Sequence, residues 1–380
     1  MELRLAKKRR IAYIPATTAG HPLSMSEAVS KLGFDVRIWK LEDDLYGYGA
    51  NRAIFKSKNR FFSREIKRFR ALLQVAWWAD VVHCTFGSSL AGNSNITARV
   101  NSGFIKRLKF KLLSIYELAF FNLEMKIYKC LNKKLIVDYQ GDDIRQKNFQ
   151  LKNYEHSIAH VVDDFYYTTN SDSNKNKKLI KFIKYGFTIY ALSPDLLHYL
   201  PSSARFIPYS NIVPNSEKSA KDLPSKKPLV FVHAPSNRRV KGSENIIQVF
   251  SELKEEGYEV ELKVVEGRKN SEALEVYSQS FMAIDQLNAG WYGGFAVECM
   301  AQGVPVISYI RDSDLKFLPI GMKDQMPIIN ACACTLRSQI LQLINISKDD
   351  YKKLSQSSLD YVKAWHDPDV IAQEVAKNYL

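Results

Sequence analysis

Residues 282–310 constrain the fold of this chain more than any other stretch. Two short apolar runs flank a turn with three closely spaced glycines, followed by a segment with helical spacing at residues 295–302. The order is strand, glycine-rich turn, short helix, strand, and the sequence Gly303-Val304-Pro305 ends the helix. This pattern predicts one unit of a doubly wound parallel sheet. In such a unit the turn brings backbone N–H groups to phosphate or hydroxyl oxygens.

The same alternation of apolar runs and helical patterns occurs on both sides of residues 215–227, a segment with almost no apolar content. A chain of 380 residues is also too long for one ordinary core. We therefore predict an α/β protein with two Rossmann-like doubly wound domains that face a central cleft. The predicted parts are a first domain, a linker, a second domain and a C-terminal helix that crosses back to the first domain (residues 1–210, 211–227, 228–364 and 365–380).

The charge of the chain is uneven. The net charge is +14, and residues 1–200 carry the whole excess. Residues 52–111 hold 13 Lys and Arg against two acidic side chains, a patch that attracts an anionic surface. Residues 101–132 repeat apolar side chains at helical spacing, which fits a crossover helix, a helix at an anionic lipid surface, or both.

The sequence also excludes several classes of protein. No run of 18 or more apolar residues predicts a spanning helix, and the basic N-terminus leads into a strand rather than a signal peptide. We expect a cytoplasmic protein that is peripheral on the inner membrane face. No recognised nucleic-acid module accompanies the basic patch, so no nucleic-acid partner is expected.

Two further expectations concern cysteines and a polar segment. The five cysteines are odd in number, and Cys332 and Cys334 are too close together for a zinc knuckle, with no second pair or neighbouring histidine in the sequence. Reduced, buried thiols are the favoured interpretation. The lysine-rich residues 170–178 are predicted to form a loop.

Polar residues directly follow predicted strands at several points, and the carboxyl ends of parallel strands are where open α/β sheets bind ligands. Asp143 and its neighbours follow a strand at residues 134–139. Three cations at residues 238–241 follow the first strand of the second domain and open a helix, which favours phosphate binding over a solvated basic turn. Glu298 lies one helical turn after the glycines of residues 290–294, between apolar neighbours.

These residues resemble the retaining nucleotide-sugar glycosyltransferases of the GT-B fold, the large group 1 family. Residues 293–307 resemble its signature G-F-x-x-x-E-A-M-A-x-G-x-P-V-I, and residues 238–242 look like its donor-phosphate clamp. Residues 139–145 resemble its recurrent Y-H-G-x-D-x-R. The likeness extends over most of the chain and is most specific at residues 228–310.

The resemblance implies a hexosyltransferase that moves a sugar from a UDP- or GDP-sugar to an acceptor hydroxyl, with retention. The acceptor expected is a cell-surface or lipid-linked glycan, as in polysaccharide biosynthesis. We place no D-x-D motif for Mg²⁺, so the resemblance implies neither a metal nor a cofactor other than the donor as co-substrate. Implied catalytic residues are Asp143, Gln140, Arg238 and Lys241. Implied donor contacts are Gly20, Arg238, Arg239, Lys241, Glu266, Asp285, Gly293, Gly294, Phe295 and the ribose-binding Glu298.

Two departures from the family pattern matter for the sugar side of the site. Gly290 stands where the first glutamate of the family's pair faces the transferred sugar, and Asp285 is the nearest acid that could substitute. Gln140 replaces the histidine of Y-H-G, and glutamine hydrogen-bonds a hydroxyl but is no general base. The alternative is therefore a catalytically weak or inactive homologue that binds a sugar nucleotide or a membrane.

Overall fold

A computed structural model of the chain describes residues 8–15, 20–41, 54, 61–91 and 104–380. The first part is built on a six-stranded parallel sheet with the strand order β2-β1-β3-β4-β5-β6. Its strands are β1 (Arg10–Ile14), β2 (Asp35–Ile38), β3 (Val81–Cys84), β4 (Lys134–Tyr139), β5 (Thr188–Ala191) and β6 (Arg205–Phe206). Its helices are α1 (His21–Lys31), α2 (Phe61–Trp78), α3 (Phe104–Cys130), α4 (Lys147–Asn153), α5 (Ile158–Val161) and α6 (Ser171–Lys184). We call this part the first domain.

The second domain is built on a five-stranded parallel sheet with the order β11-β10-β9-β7-β8. Its strands are β7 (Leu229–His233), β8 (Val260–Val264), β9 (Met282–Ile284), β10 (Val306–Ser308) and β11 (Ile329–Asn330). Its helices are α7 (Arg238–Lys241), α8 (Ser243–Glu255), α9 (Asn270–Ser278), α10 (Gly294–Met300), α11 (Ile320–Asp324), α12 (Leu336–Leu343) and α13 (Lys348–Trp365). The predicted α/β class with two doubly wound sheets is confirmed.

Both sheets are covered on both faces. In β1, Ile11 and Tyr13 pack into one buried cluster, whereas Ala12 and Ile14 pack into another. Successive side chains of a strand point to opposite faces, so this alternation means that the sheet separates two cores. Apolar runs without polar alternation are therefore what these strands require.

A final helix, α14 (Pro368–Ala376), packs against α1, and its buried side chains join the core of the first domain. The Tyr379 hydroxyl lies 2.6 Å from that of Tyr13 and 2.7 Å from His83 Nδ1. The end of the chain is thus tied to the first sheet by buried polar contacts as well as by apolar packing.

Within the basic segment at residues 101–132, α3 (Phe104–Cys130) is the crossover helix between the parallel strands β3 and β4, and residues 101–103 lie outside the described residues. Within the ranges described, none of the helices has the length and apolar content needed to cross a bilayer. Much of the basic patch at residues 52–111 lies outside the described residues, including 55–60 and 92–103.

Two expectations were wrong. The lysine-rich residues 170–178 form most of α6 rather than a loop, because Leu179 and Phe182 of this helix pack into the core. Cys332 and Cys334 form a disulfide, and Cys130 is exposed, so buried thiols describe only Cys84 and Cys299.

Candidate active site

The predicted acidic loop lies at the carboxyl edge of the first sheet, directly after β4. Asp143 accepts hydrogen bonds from the backbone N–H groups of Gln140 (2.9 Å) and Gly141 (2.7 Å), and it stays partly exposed. Desolvation raises the pKa of Asp143 to about 6, and the backbone hydrogen bonds offset only part of this rise. A carboxyl group that titrates near neutral pH can accept a proton from a hydroxyl during a reaction.

The side chain of Gln140 is hydrogen-bonded to Asp138. Its Nε2 donates to the buried Asp138 Oδ1 at 3.1 Å, and Asp138 lies 3.4 Å from His83 Nε2. Asp138 also accepts from the backbone N–H of Phe86 at 3.1 Å. Gln140 therefore anchors the loop to a buried carboxylate, whereas the carboxyl group of Asp143 stays partly exposed at the sheet edge.

Other contacts, which sequence reasoning missed, hold the same loop. Arg145 donates to both oxygens of the buried Asp195, at 2.6 and 3.0 Å. Asp142 accepts hydrogen bonds from the hydroxyls of Tyr166 and Tyr167. The partners lie far away in sequence, so no local signal pointed to them.

Gly20 begins α1 at the same edge of the first sheet and is buried. The ring of the next residue, His21, stacks on Tyr209 at a centroid distance of 5.2 Å. Gly20 therefore lies beside the connection between the domains. Residues 16–19, the rest of this predicted loop, lie outside the described residues.

In the second domain, Lys241 and Asp285 form a buried ion pair at the glycine-rich turn. Lys241 Nζ lies 2.6 Å from Asp285 Oδ1, and the backbone N–H of Gly293 donates to Asp285 Oδ2 at 2.6 Å. A Cβ on Gly293 would lie 3.2 Å from Lys241 Nζ. Each oxygen of Asp285 thus contacts either Lys241 or the turn.

Glu298, on α10, connects three parts of the chain. Its Oε1 accepts hydrogen bonds from Asn211 (2.8 Å) and from Asn270 at the start of α9 (2.9 Å). Glu298 is only 5% exposed. This burial excludes a solvent-facing helix carboxylate.

Phe295 and Gly294 shape the surroundings of Glu298. The Phe295 ring packs edge-on against Tyr277, with centroids 4.9 Å apart. A Cβ on Gly294 would lie 2.9 Å from Tyr209 Cε1 and 3.2 Å from Asn211 Nδ2. Glycine at 294 is therefore needed for the close approach of the linker to α10.

The three predicted phosphate-binding cations pair with four different carboxylates, since Arg238 lies near Glu244 (3.4 Å) as well as Glu266. Arg238 donates to both oxygens of Glu266 (3.0 and 2.7 Å), and Arg239 reaches Asp163 of the first domain at 2.5 Å. Lys241 binds Asp285, as described above. Arg238 is about half exposed, so its surface pair with Glu266 costs little to break when an anion arrives.

A cavity of about 400 Å³ lies between the two domains. The first domain contributes Val162, Asp163 and Tyr166, and the second contributes residues 237–239. Because Tyr166 also holds Asp142, the cavity adjoins both the acidic loop and the arginine turn. A second cavity, of about 560 Å³, lies at the amino-terminal edge of the first sheet, away from all the predicted site residues.

The position of the missing glutamate is filled by an arginine. Gly290 has a φ of +79°, and a Cβ there would lie 2.5 Å from the guanidinium of Arg311. That guanidinium stacks 3.6 Å above the ring of Tyr154, and it donates to Asp314 at 2.9 Å and to the carbonyl of His156 at 3.0 Å. Sequence reasoning missed Arg311, because it follows the next strand and only the fold brings it to Gly290.

Neither the known family models nor the curated protein sequences contain a match to this chain. Solved structures do match over the whole length. Sucrose-phosphate synthase from Thermosynechococcus elongatus is 14% identical with a TM-score of 0.58, and 98% of each chain is covered. HepE from Anabaena, solved with UDP-glucose, is 10% identical with a TM-score of 0.58 over 98% of this chain and 99% of that one.

A glycosyltransferase from Rickettsia africae is 13% identical with a TM-score of 0.56, over 99% of this chain and 98% of that one. At such low identity the likeness concerns the fold and not the activity. Two parallel α/β domains in this arrangement are the architecture of the GT-B glycosyltransferases. The fold is therefore the GT-B fold.

Proposed function

We propose that this protein is a retaining glycosyltransferase that moves a sugar from a UDP- or GDP-sugar to an acceptor hydroxyl, without a metal ion. The observation that carries the proposal is the placement of Lys241 and Glu298 around the glycine-rich turn at the carboxyl edge of the second sheet. This edge is where a doubly wound domain binds nucleotides. HepE, which shares the fold, was solved with UDP-glucose, and this supports a nucleotide-sugar donor.

The proposed chemistry assigns each group one task. Glu298 accepts hydrogen bonds from the ribose hydroxyls of the donor. Lys241, with Arg238 after it leaves Glu266, stabilises the negative charge that develops on the departing diphosphate, which is the task of a metal in other transferases. The departing phosphate takes the acceptor proton on the same face of the sugar, as the family resemblance implies, and Asp143 orients the acceptor hydroxyl.

A panel of UDP- and GDP-sugars tests the donor half of this proposal by thermal shift, since a ligand that binds the folded state raises its apparent stability. Product release from the stabilising donor is then measured with and without glycan acceptors. Lys241→Met leaves Asp285 buried without its cation, so the double variant Lys241→Met/Asp285→Asn is the informative one. Loss of turnover in the folded double variant is expected. The proposal fails if no donor is hydrolysed or transferred.

Binding without transfer is the second candidate. Arg311 occupies the place of the sugar-facing glutamate, which favours a protein that holds a sugar nucleotide without transferring the sugar. Donor binding with no transfer across a broad acceptor panel would favour this candidate. Turnover in the wild type would exclude it.

We further propose that the first domain docks on the anionic inner face of a membrane, where a lipid-linked acceptor resides. On α2 the large apolar side chains recur at helical spacing and point to solvent, with Phe62 79%, Ile66 70% and Trp77 81% exposed. Basic residues interleave with this stripe. Apolar side chains beside cations match the interface of an anionic bilayer.

The docking proposal is tested by flotation with phosphatidylglycerol vesicles and with neutral vesicles. Serine at Phe62, Ile66 and Trp77 is expected to abolish flotation with the anionic vesicles. Ile320→Ser, at an equally exposed position of the second domain, is the matched control and should float normally. Equal flotation of the triple variant, or preferential binding to a DNA duplex, would contradict membrane docking.

A further inference from the structure

Among the residues that the structure describes, one group of three side chains has metal-ligating atoms close together: His156, Cys332 and Cys334. Their ligand atoms all lie within 4.8 Å of one another. His156 belongs to the first domain, in the segment between α4 and α5, and the cysteines follow β11 of the second. The sequence offered no neighbouring histidine for these cysteines, and the fold supplies one.

The two cysteines are joined as a disulfide, with Cα atoms 5.4 Å apart. Reduction leaves both thiols on the same short turn, where the backbone N–H of Cys332 donates to Thr335 Oγ1 at 3.1 Å. His156 and Cys334 are exposed, so a solvent ion has direct access to both. Tetrahedral Zn²⁺ separates such sulfur and nitrogen ligands by roughly 3.5–3.8 Å, so side-chain rotation suffices to bring these three around one ion.

The segment that carries His156 is already held against the second domain. The backbone carbonyl of His156 accepts a hydrogen bond from the Arg311 guanidinium at 3.0 Å, and the ring of the neighbouring Tyr154 stacks on the same guanidinium. The charge of Arg311 is balanced by the buried Asp314 at 2.9 Å, which limits its repulsion of a nearby cation. The histidine is therefore positioned by the domain contact rather than by the cysteines.

We propose that, in the dithiol form, Cys332, Cys334 and His156 together bind one Zn²⁺ ion that links the two domains. Two thiolates and one imidazole are a ligand set that zinc prefers, and a water molecule completes the fourth position. Each thiol loses its proton when the metal binds. The disulfide and the zinc site exclude each other, because the same sulfur atoms form both.

The test uses the full chain reduced with a trialkylphosphine under nitrogen. The disulfide gains two electrons and two protons, the phosphine becomes its oxide with oxygen from water, and a thiol assay must then count five thiols per denatured chain. Co²⁺ is titrated as a spectroscopic probe, and Zn²⁺ is then added to displace it. One Co²⁺ per chain with a thiolate-to-metal charge-transfer band is expected, and neither should appear in the disulfide form.

Variants identify the ligands. Cys332→Ser/Cys334→Ser should lose the charge-transfer band, and His156→Ala should weaken Co²⁺ binding about tenfold or more while keeping the band, since one of three ligands is lost. Cys130→Ser, which removes an exposed cysteine elsewhere, is the control and should bind as the wild type does. The proposal is overturned if the reduced wild type shows no band, or if His156→Ala binds with unchanged affinity.

Discussion

Gly290 and Arg311 offer the sharpest test of the site's geometry. Alanine at 290 must adopt a φ near +79°, which costs about 1–2 kcal/mol for a residue with a Cβ. It must also displace the Arg311 guanidinium, which would lie 2.5 Å from the new atom. Losing Arg311 from the buried Asp314 adds about 3–5 kcal/mol, because Asp314 then loses its guanidinium partner and keeps contacts to His198 Nε2 and Ser313 Oγ. Gly290→Ala should therefore lower the free energy of unfolding by about 4–7 kcal/mol in total.

A double-mutant cycle measures this coupling by urea unfolding. In an Arg311→Ala background the clash is gone, so Gly290→Ala should cost only the strain of about 1–2 kcal/mol. Gly257→Ala is the matched control, since Gly257 has a φ of +89° with nothing within 4 Å of its Cβ position. Gly257→Ala should also lower the free energy of unfolding by about 1–2 kcal/mol, and by the same amount with Arg311 and with Arg311→Ala. Equal costs of Gly290→Ala with and without Arg311 would refute the reasoning.

Three further predictions concern other parts of the molecule. The pKa of Asp143 in the folded protein is raised to about 6, so between pH 4 and 6 the folded protein holds a proton that the unfolded chain has lost. As the pH rises from 4 to 6, the free energy of unfolding of the wild type should therefore fall by about 1–3 kcal/mol relative to that of Asp143→Asn. Urea titrations at fixed pH check this, and a constant difference would contradict it. The new Cβ of Gly294→Ala should displace Tyr209 and Asn211, and so weaken the hydrogen bond from Asn211 to Glu298. We expect lower donor affinity and a lower melting temperature in calorimetry. Unchanged affinity would show that the close contact of Asn211 with α10 is unimportant for donor binding. Tyr379→Phe should cost about 1–2 kcal/mol of unfolding free energy through two buried hydrogen bonds, against almost nothing for the exposed Tyr258→Phe.

The repeating architecture was accessible from the sequence. Buried parallel strands need continuous apolar runs, and the turns at their carboxyl ends need glycine or polar residues, so residues 282–310 predicted β9, α10 and β10 in order. The apolar neighbours of Glu298 in the sequence are also consistent with its burial on α10. These properties depend on residues close together in the chain.

The remaining features depend on contacts between distant segments. Nothing local to residues 170–178 shows that α6 packs Leu179 and Phe182 into a core, and lysine content argued for a loop. Arg311 reaches Gly290 only because β9 and β10 are neighbours in the sheet. His156 similarly approaches Cys332 and Cys334 only through the contact between domains. The sequence predicts which polar residues lie at a sheet edge, but it does not predict which distant residues they contact.

The central claim is that Glu298 recognises the nucleotide of a sugar donor. Isothermal titration calorimetry of UDP and GDP with the wild type, Glu298→Gln and the exposed control Glu275→Gln tests it most directly. Glutamine keeps one oxygen to accept from Asn211 and Asn270, but it removes the charge and replaces the other accepting oxygen with an NH2 donor. We predict that Glu298→Gln weakens binding of the preferred nucleotide about tenfold to a hundredfold, or about 1.4–2.8 kcal/mol, while Glu275→Gln does not. Equal affinity of Glu298→Gln and the wild type, or no nucleotide binding by the wild type, would contradict the account.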